Sequence, residues 1–97
     1  MKPYRVDSYV VDTLMPDLVL HDRQPSAFLV YLYLWCRSGG RAAGIRASHR
    51  AIVDATGLSK SAVQAALRTL TRRRLVKSAR RSATDVPEYS VLRPWRR

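Results

Sequence analysis

The sequence predicts one α+β domain, three helices followed by an antiparallel hairpin, and three observations carry that prediction. An apolar run from Ala27 to Cys36 is bracketed by Pro25 and by Ser38-Gly39-Gly40, the punctuation of a helix with a defined start and stop. Between Ser48 and Val76 two shorter helical patterns meet at Gly57-Leu58-Ser59. From Leu75 onward two β-like stretches flank a polar loop, Arg81 to Pro87. Ninety-seven residues hold one such core, covering roughly two thirds of the surface that the unfolded chain exposes.

Residues 1–24 are expected to pack on that core, or on a second subunit, as an N-terminal arm or short strand; residues 25–97 are expected to form the domain. Tyr4, Val6, Tyr9, Val10 and Val11 fit either a short strand or an extended arm. Met15-Pro16-Asp17 and Asp22 to Pro25 interrupt the chain, and Leu14 to Leu20 is expected to lie across the helices. Asp7, Asp12, Asp17 and Asp22 recur every five residues, a spacing that scatters them around a helix and builds no paired carboxylate or metal cluster.

The first helix, from Pro25 or Ser26 to about Arg37, is apolar on every face. Phe28, Leu32 and Trp35, with Tyr31 alongside, make its core stripe. Leu29, Tyr33 and Cys36 are left to pack against the N-terminal segment or against a second copy in a homodimer. Ile45-Arg46-Ala47 is an extended link that can join a sheet. The second helix runs from His49 to Thr56, with Ser48 as its cap and Ile52 facing inward beside Ala51 or Ala55. Gly57 takes the chain out in a left-handed turn, Leu58 plugs the angle, and Ser59 caps the third helix, about Lys60 to Arg73. There Val63, Ala66, Leu67 and Leu70 share one face, leaving Lys60, Ser61, Gln64, Ala65, Arg68 and Arg72 on the other. Leu75 to Arg80 and Glu88 to Leu92 are the hairpin strands, with Tyr89 and Val91 on one face. Trp95 in the tail Arg93 to Arg97 is expected to close the core.

The formal charge is +11, from eighteen Lys or Arg against seven Asp or Glu. Met1 to Val30 carries three basic and four acidic residues, and Tyr31 to Arg97 fifteen basic and three acidic. The later two thirds is therefore the electropositive part, as a polyanion partner requires. Fifteen of the basic residues are Arg, whose planar fork fits phosphate and guanine edges, though a GC-rich genome enriches Arg without functional cause.

The single Cys36 builds neither an intrachain disulfide nor a metal site. The apolar run is too short to span a bilayer and the start lacks a secretory stretch, so a cytoplasmic, nucleoid-associated protein with no membrane partner is expected. His21 and His49 have no adjacent nucleophile, and Gly39-Gly40 and Gly44 lack the residues of a phosphate loop. The chain is not expected to be an enzyme, and no cofactor or metal is expected.

Ser48 to Val76, with Ile52, Gly57-Leu58-Ser59, Val63, Ala66-Leu67, Leu70 and Leu75-Val76, resembles the winged helix-turn-helix domains of bacterial transcription regulators of the GntR, MarR and replication-initiator types. Arg74 departs from that pattern, standing where the family has Gly. The resemblance implies a homodimeric regulator bound to double-stranded DNA, its third helix in the major groove and its wing, residues 77–88, on the backbone or minor groove. Lys60, Ser61, Gln64, Ala65 and Arg68 are then expected to reach bases. Arg46, Ser48, His49, Arg50, Ser59, Arg72, Arg74, Lys77, Arg80 and Arg81 are expected on the backbone or in the wing contact. The alternatives are a protein-interaction module on the same scaffold and a plasmid or phage initiator-type DNA-binding protein.

Overall fold

Apolar spacing, capping residues and glycine stops place the three helices where the sequence puts them. In the computed structural model, which describes residues 2–96, α1 spans Pro25–Ser38, α2 His49–Thr56 and α3 Lys60–Arg72. Pro25 opens α1 at a position whose amide would lack a helical partner in any case. Gly39 ends it in the left-handed region, and the Gly40 amide reaches back to the Trp35 carbonyl at 2.9 Å. The Ser48 and Ser59 hydroxyls accept from the amides of Ala51 and Ala62 at 3.0 and 3.1 Å. Each such cap stabilises its helix by about 1 kcal/mol.

β1 (Gly44–Arg46), β2 (Val76–Ala79) and β3 (Glu88–Val91) form an antiparallel sheet in the order β1-β3-β2. β2 and β3 are the predicted hairpin. Their register sets Val76 opposite Val91 and Ser78 opposite Tyr89, and Val76, Tyr89 and Val91 are all buried. The link at Ile45 joins the sheet as β1, opposite Tyr89.

The N-terminal segment packs on the core as helix, not as a strand or an extended arm. Residues 8–21 are helical, built on two π-type turns, Val10–Leu14 and Asp17–His21, in which the amides of Met15 and Asp22 reach five residues back. Pro16 lies between the turns. In an α-helix its ring would collide with the carbonyl four residues earlier and it has no amide to donate; widened turns on either side accommodate both defects. Val10, Leu14 and Leu18 form the inward stripe and are buried in the common core.

This extra helix changes which faces of α1 are covered. Phe28, Tyr31 and Trp35 are buried as expected, but so are Ala27, Val30 and Leu34, while Leu32 is half-buried. In α2, Ala51 and Ala55 are both exposed, contrary to expectation; the inward face runs Ile52, Val53 and Thr56, one position further round. Polar groups within the core are satisfied. The Tyr31 hydroxyl donates to the Leu92 carbonyl at 2.9 Å, and the Trp35 indole to the Arg5 carbonyl at 2.8 Å. Thr69, buried on α3, donates to the Gln24 side chain at 3.1 Å.

Trp95 closes the core, stacked on Tyr9 at 4.5 Å and on Trp35 at 6.1 Å between ring centroids. Its indole N–H and the Arg96 guanidinium both donate to Asp7. Those bonds, Arg96 first and Trp95 second, hold the Asp7 carboxyl below the usual carboxylate range. Arg97, grouped with this tail in the sequence, lies outside the described residues.

Candidate nucleic-acid interface

The spacing of α3 divides it into a buried face and a free one. Val63, Ala66, Leu67, Thr69 and Leu70 pack inward. On the other side Lys60, Ser61, Arg68 and Arg72 are exposed, and Gln64 and Ala65 are half-buried. Gly57, at φ 77°, turns the chain between α2 and α3 with its amide on the Val53 carbonyl at 2.9 Å. Leu58 packs against the core there, as expected, and Thr56 helps by donating to the Ile52 carbonyl at 2.7 Å.

An open groove separates α3 from the hairpin. Gln64, Arg68 and Arg72 line it from α3, His49 from the start of α2, and Ser78 and Arg80 from the hairpin. Two residues expected at bases thus meet three expected at the backbone or in the wing. A second cluster gathers His49, Arg50 and Lys60 at the starts of α2 and α3, where amides of the first turns point outward. Arg50 is paired there with Asp54 at 3.1 Å, an exposed pair of small energetic weight. Arg46, Arg80 and Arg81 meet at the base of the wing beside Asp85 and Glu88, with Arg80 also donating to the Ala83 carbonyl at 3.2 Å. Arg74 and Lys77 are exposed but line none of these clusters. The Ser48 and Ser59 hydroxyls are taken by their own helices, so what they leave for an anion is backbone amides.

Arg74 resolves the departure noted in the sequence. It adopts φ 56°, the left-handed conformation for which Gly is suited, and the chain leaves α3 through a complete Schellman turn. The Arg74 amide bonds the Thr71 carbonyl at 3.1 Å and the Leu75 amide the Leu70 carbonyl at 2.9 Å, with Leu70 and Leu75 both buried.

The division of the cations is not legible in the sequence. Arg73 is drawn away from the groove to the N-terminal segment, donating to Asp22 at 2.6 Å and to Asp17 at 3.4 Å. The five-residue spacing scatters carboxylates around an α-helix, but the wider turn here brings these two to one guanidinium. The Asp22 carboxyl is held low, first by the His21 side chain and then by Arg73. Arg93 donates to the Gly40 carbonyl at 2.6 Å, and Arg96 is bound to Asp7. The five-residue recurrence of Asp beside a proline was the available signal, and it needed the π-type turn to be read. Among the described residues no three His, Cys, Asp or Glu side chains are grouped to hold a metal ion, and no helix is long and apolar enough to cross a membrane.

The fold is that of a winged helix-turn-helix domain, with α2, the turn at Gly57 and α3 followed by the β2–β3 hairpin. Residues 41–80 match the model of the IclR helix-turn-helix domain, a stretch that covers β1, α2, α3 and β2. The resemblance read from the sequence therefore holds at the level of the winged domain, with an IclR-type match rather than a GntR, MarR or initiator one. No curated protein and no solved structure matches the chain.

Proposed function

We propose that the protein is a sequence-specific regulator that binds double-stranded DNA as a homodimer. The observation that carries this reading is the division of the cations. Arg68 and Arg72 on α3 have neither an ion-pair nor a hydrogen-bond partner among the described residues and face one groove, whereas Arg73, Arg93 and Arg96 are held by the chain itself. In this reading α3 lies in the major groove, with Lys60, Ser61, Gln64, Ala65 and Arg68 toward base edges. The first-turn amides behind Ser48 and Ser59, with Arg46, His49, Arg50, Arg72 and Arg74, hold phosphates. The wing, with Lys77, Arg80 and Arg81, follows the backbone or the adjacent minor groove. Two copies would set their α3 helices about 34 Å apart on a partly palindromic site.

The test is titration of labelled duplex at several salt concentrations. A dimer that neutralises six to ten phosphates loses about 10³ to 10⁵ in affinity between 50 and 200 mM salt. Arg68→Ala and Lys60→Ala should each weaken binding to a preferred duplex while leaving the thermal midpoint in place. Affinity unchanged in both variants would remove α3 from the interface.

The expected dimer face on α1 is only partly open. Leu29 is 44% exposed, but Tyr33 and Cys36 are half-buried, and the Arg37 guanidinium covers the Tyr33 ring at 5.6 Å while bonding the Tyr4 hydroxyl. Burial also pushes the Cys36 thiol up, away from reactivity. Tyr33→Glu tests this face directly.

A further inference from the structure

The N-terminal helix carries an apolar stripe that nothing in the chain covers. With Val10, Leu14 and Leu18 turned into the core, Val11, Met15, Val19 and Leu20 are exposed at 45, 38, 39 and 75%. Charges bracket the stripe, Asp12 toward one end and Arg23 at the other, both exposed and neither in an ion pair among the described residues. Asp7, Asp17 and Asp22 are committed to Arg96 and Arg73, so Asp12 is the one carboxylate of the five-residue series left free.

We propose that this stripe is the seam on which a second copy of the chain docks, with the two N-terminal helices antiparallel across a two-fold axis. The proposal rests on the dimeric reading above and places its interface on a different surface from the α1 face. The charge order selects both the occupant and the direction. A two-fold axis crossing the helix between residues 17 and 18 sets Met15 against the partner's Leu20 and Pro16 against the partner's Val19. The same operation sets Asp12 against the partner's Arg23, and it does so twice, as an isologous interface requires. A parallel arrangement would place Asp12 on Asp12 and Arg23 on Arg23, like charges at both ends. An acidic end, an apolar centre and a basic end at mirrored positions make the surface complementary to itself. One helix face lies at the low end of stable interface sizes, so the dimer should be concentration-dependent and should tighten on DNA with two half-sites.

Sedimentation of the whole chain over a range of concentrations tests this with four variants. Met15→Glu should give monomers that keep their helical circular dichroism. Asp12→Arg and Arg23→Asp should each weaken dimerisation by roughly tenfold, and the double swap should restore it. Asp12 lies on the helix and Arg23 just past its end, on the order of 15 Å apart in the same chain, so only an intermolecular pair explains rescue. Wild-type protein that stays monomeric, single swaps with no effect, or a double swap that fails to rescue would each overturn the seam. Titration of the same proteins with a one-half-site duplex separates this from the DNA reading. Monomeric variants should bind that duplex as wild type does; wild type that fails to bind it overturns the DNA reading and leaves the sedimentation result standing.

Discussion

Arg74 is the residue at which stability and the proposed function can be set against each other. A side chain in the left-handed region costs about 1 kcal/mol relative to Gly, and nothing in the fold repays that cost, since the guanidinium is exposed and unpaired. Arg74→Gly should therefore raise the thermal midpoint by about 4 to 8 °C for a domain of this size, read by calorimetry. If Arg74 holds a phosphate, the same variant should bind duplex more weakly and with a shallower salt slope. The misfit was legible in the sequence, because the turn chemistry of Gly is local. Asp7 was not legible: its partners Trp95 and Arg96 lie at the other end of the chain. Its carboxyl is held low when folded, so its stabilisation is complete above about pH 4, the ordinary range of an unfolded Asp, and is lost as pH falls through the folded value. Asp7→Asn should flatten the fall in thermal midpoint below pH 4, measured against wild type in a pH series.

At the scale of elements, legibility follows how local the determinants are. Ser48, Gly57, Ser59 and the spacing of Val63, Ala66, Leu67 and Leu70 fix α2, the turn and α3 through contacts a few residues apart, and those elements stand where the spacing puts them. The free face of α3 came with them, since a helix with one face buried must expose the other. The N-terminal helix was hidden because Pro16 and the five-residue hydrogen bonds break the ordinary helical period, and because Val11, Met15 and Val19 are apolar yet outward. Its Val10, Leu14 and Leu18 belong to the common core, which ties the segment to the domain as structure. Leu18→Ala should cost about 2 to 5 kcal/mol in chemical denaturation, as for any fully buried leucine; a cost below 1 kcal/mol would mean that the segment is dispensable.

Across the whole molecule the N-terminal segment and the basic surface work as a pair. Asp17 and Asp22 take Arg73 and Asp7 takes Arg96, which offsets those charges within the chain. Of the cations with no acid partner among the described residues, Arg46, Lys60, Arg68, Arg72, Arg80 and Arg81 line the hollows around α3, the starts of α2 and α3, and the wing. Net charge alone pointed to a polyanion; its partition, which only the folded chain makes visible, supports the proposed position of that partner at α3. Selection of bound sequences from a random duplex pool, using the whole chain, tests this most directly. The expected result is enrichment of a motif with two related half-sites about one helical turn apart, lost when Arg68 and Lys60 are both replaced by Ala. A pool that shows no enriched motif, or the same motif recovered by the doubly substituted protein, would contradict it.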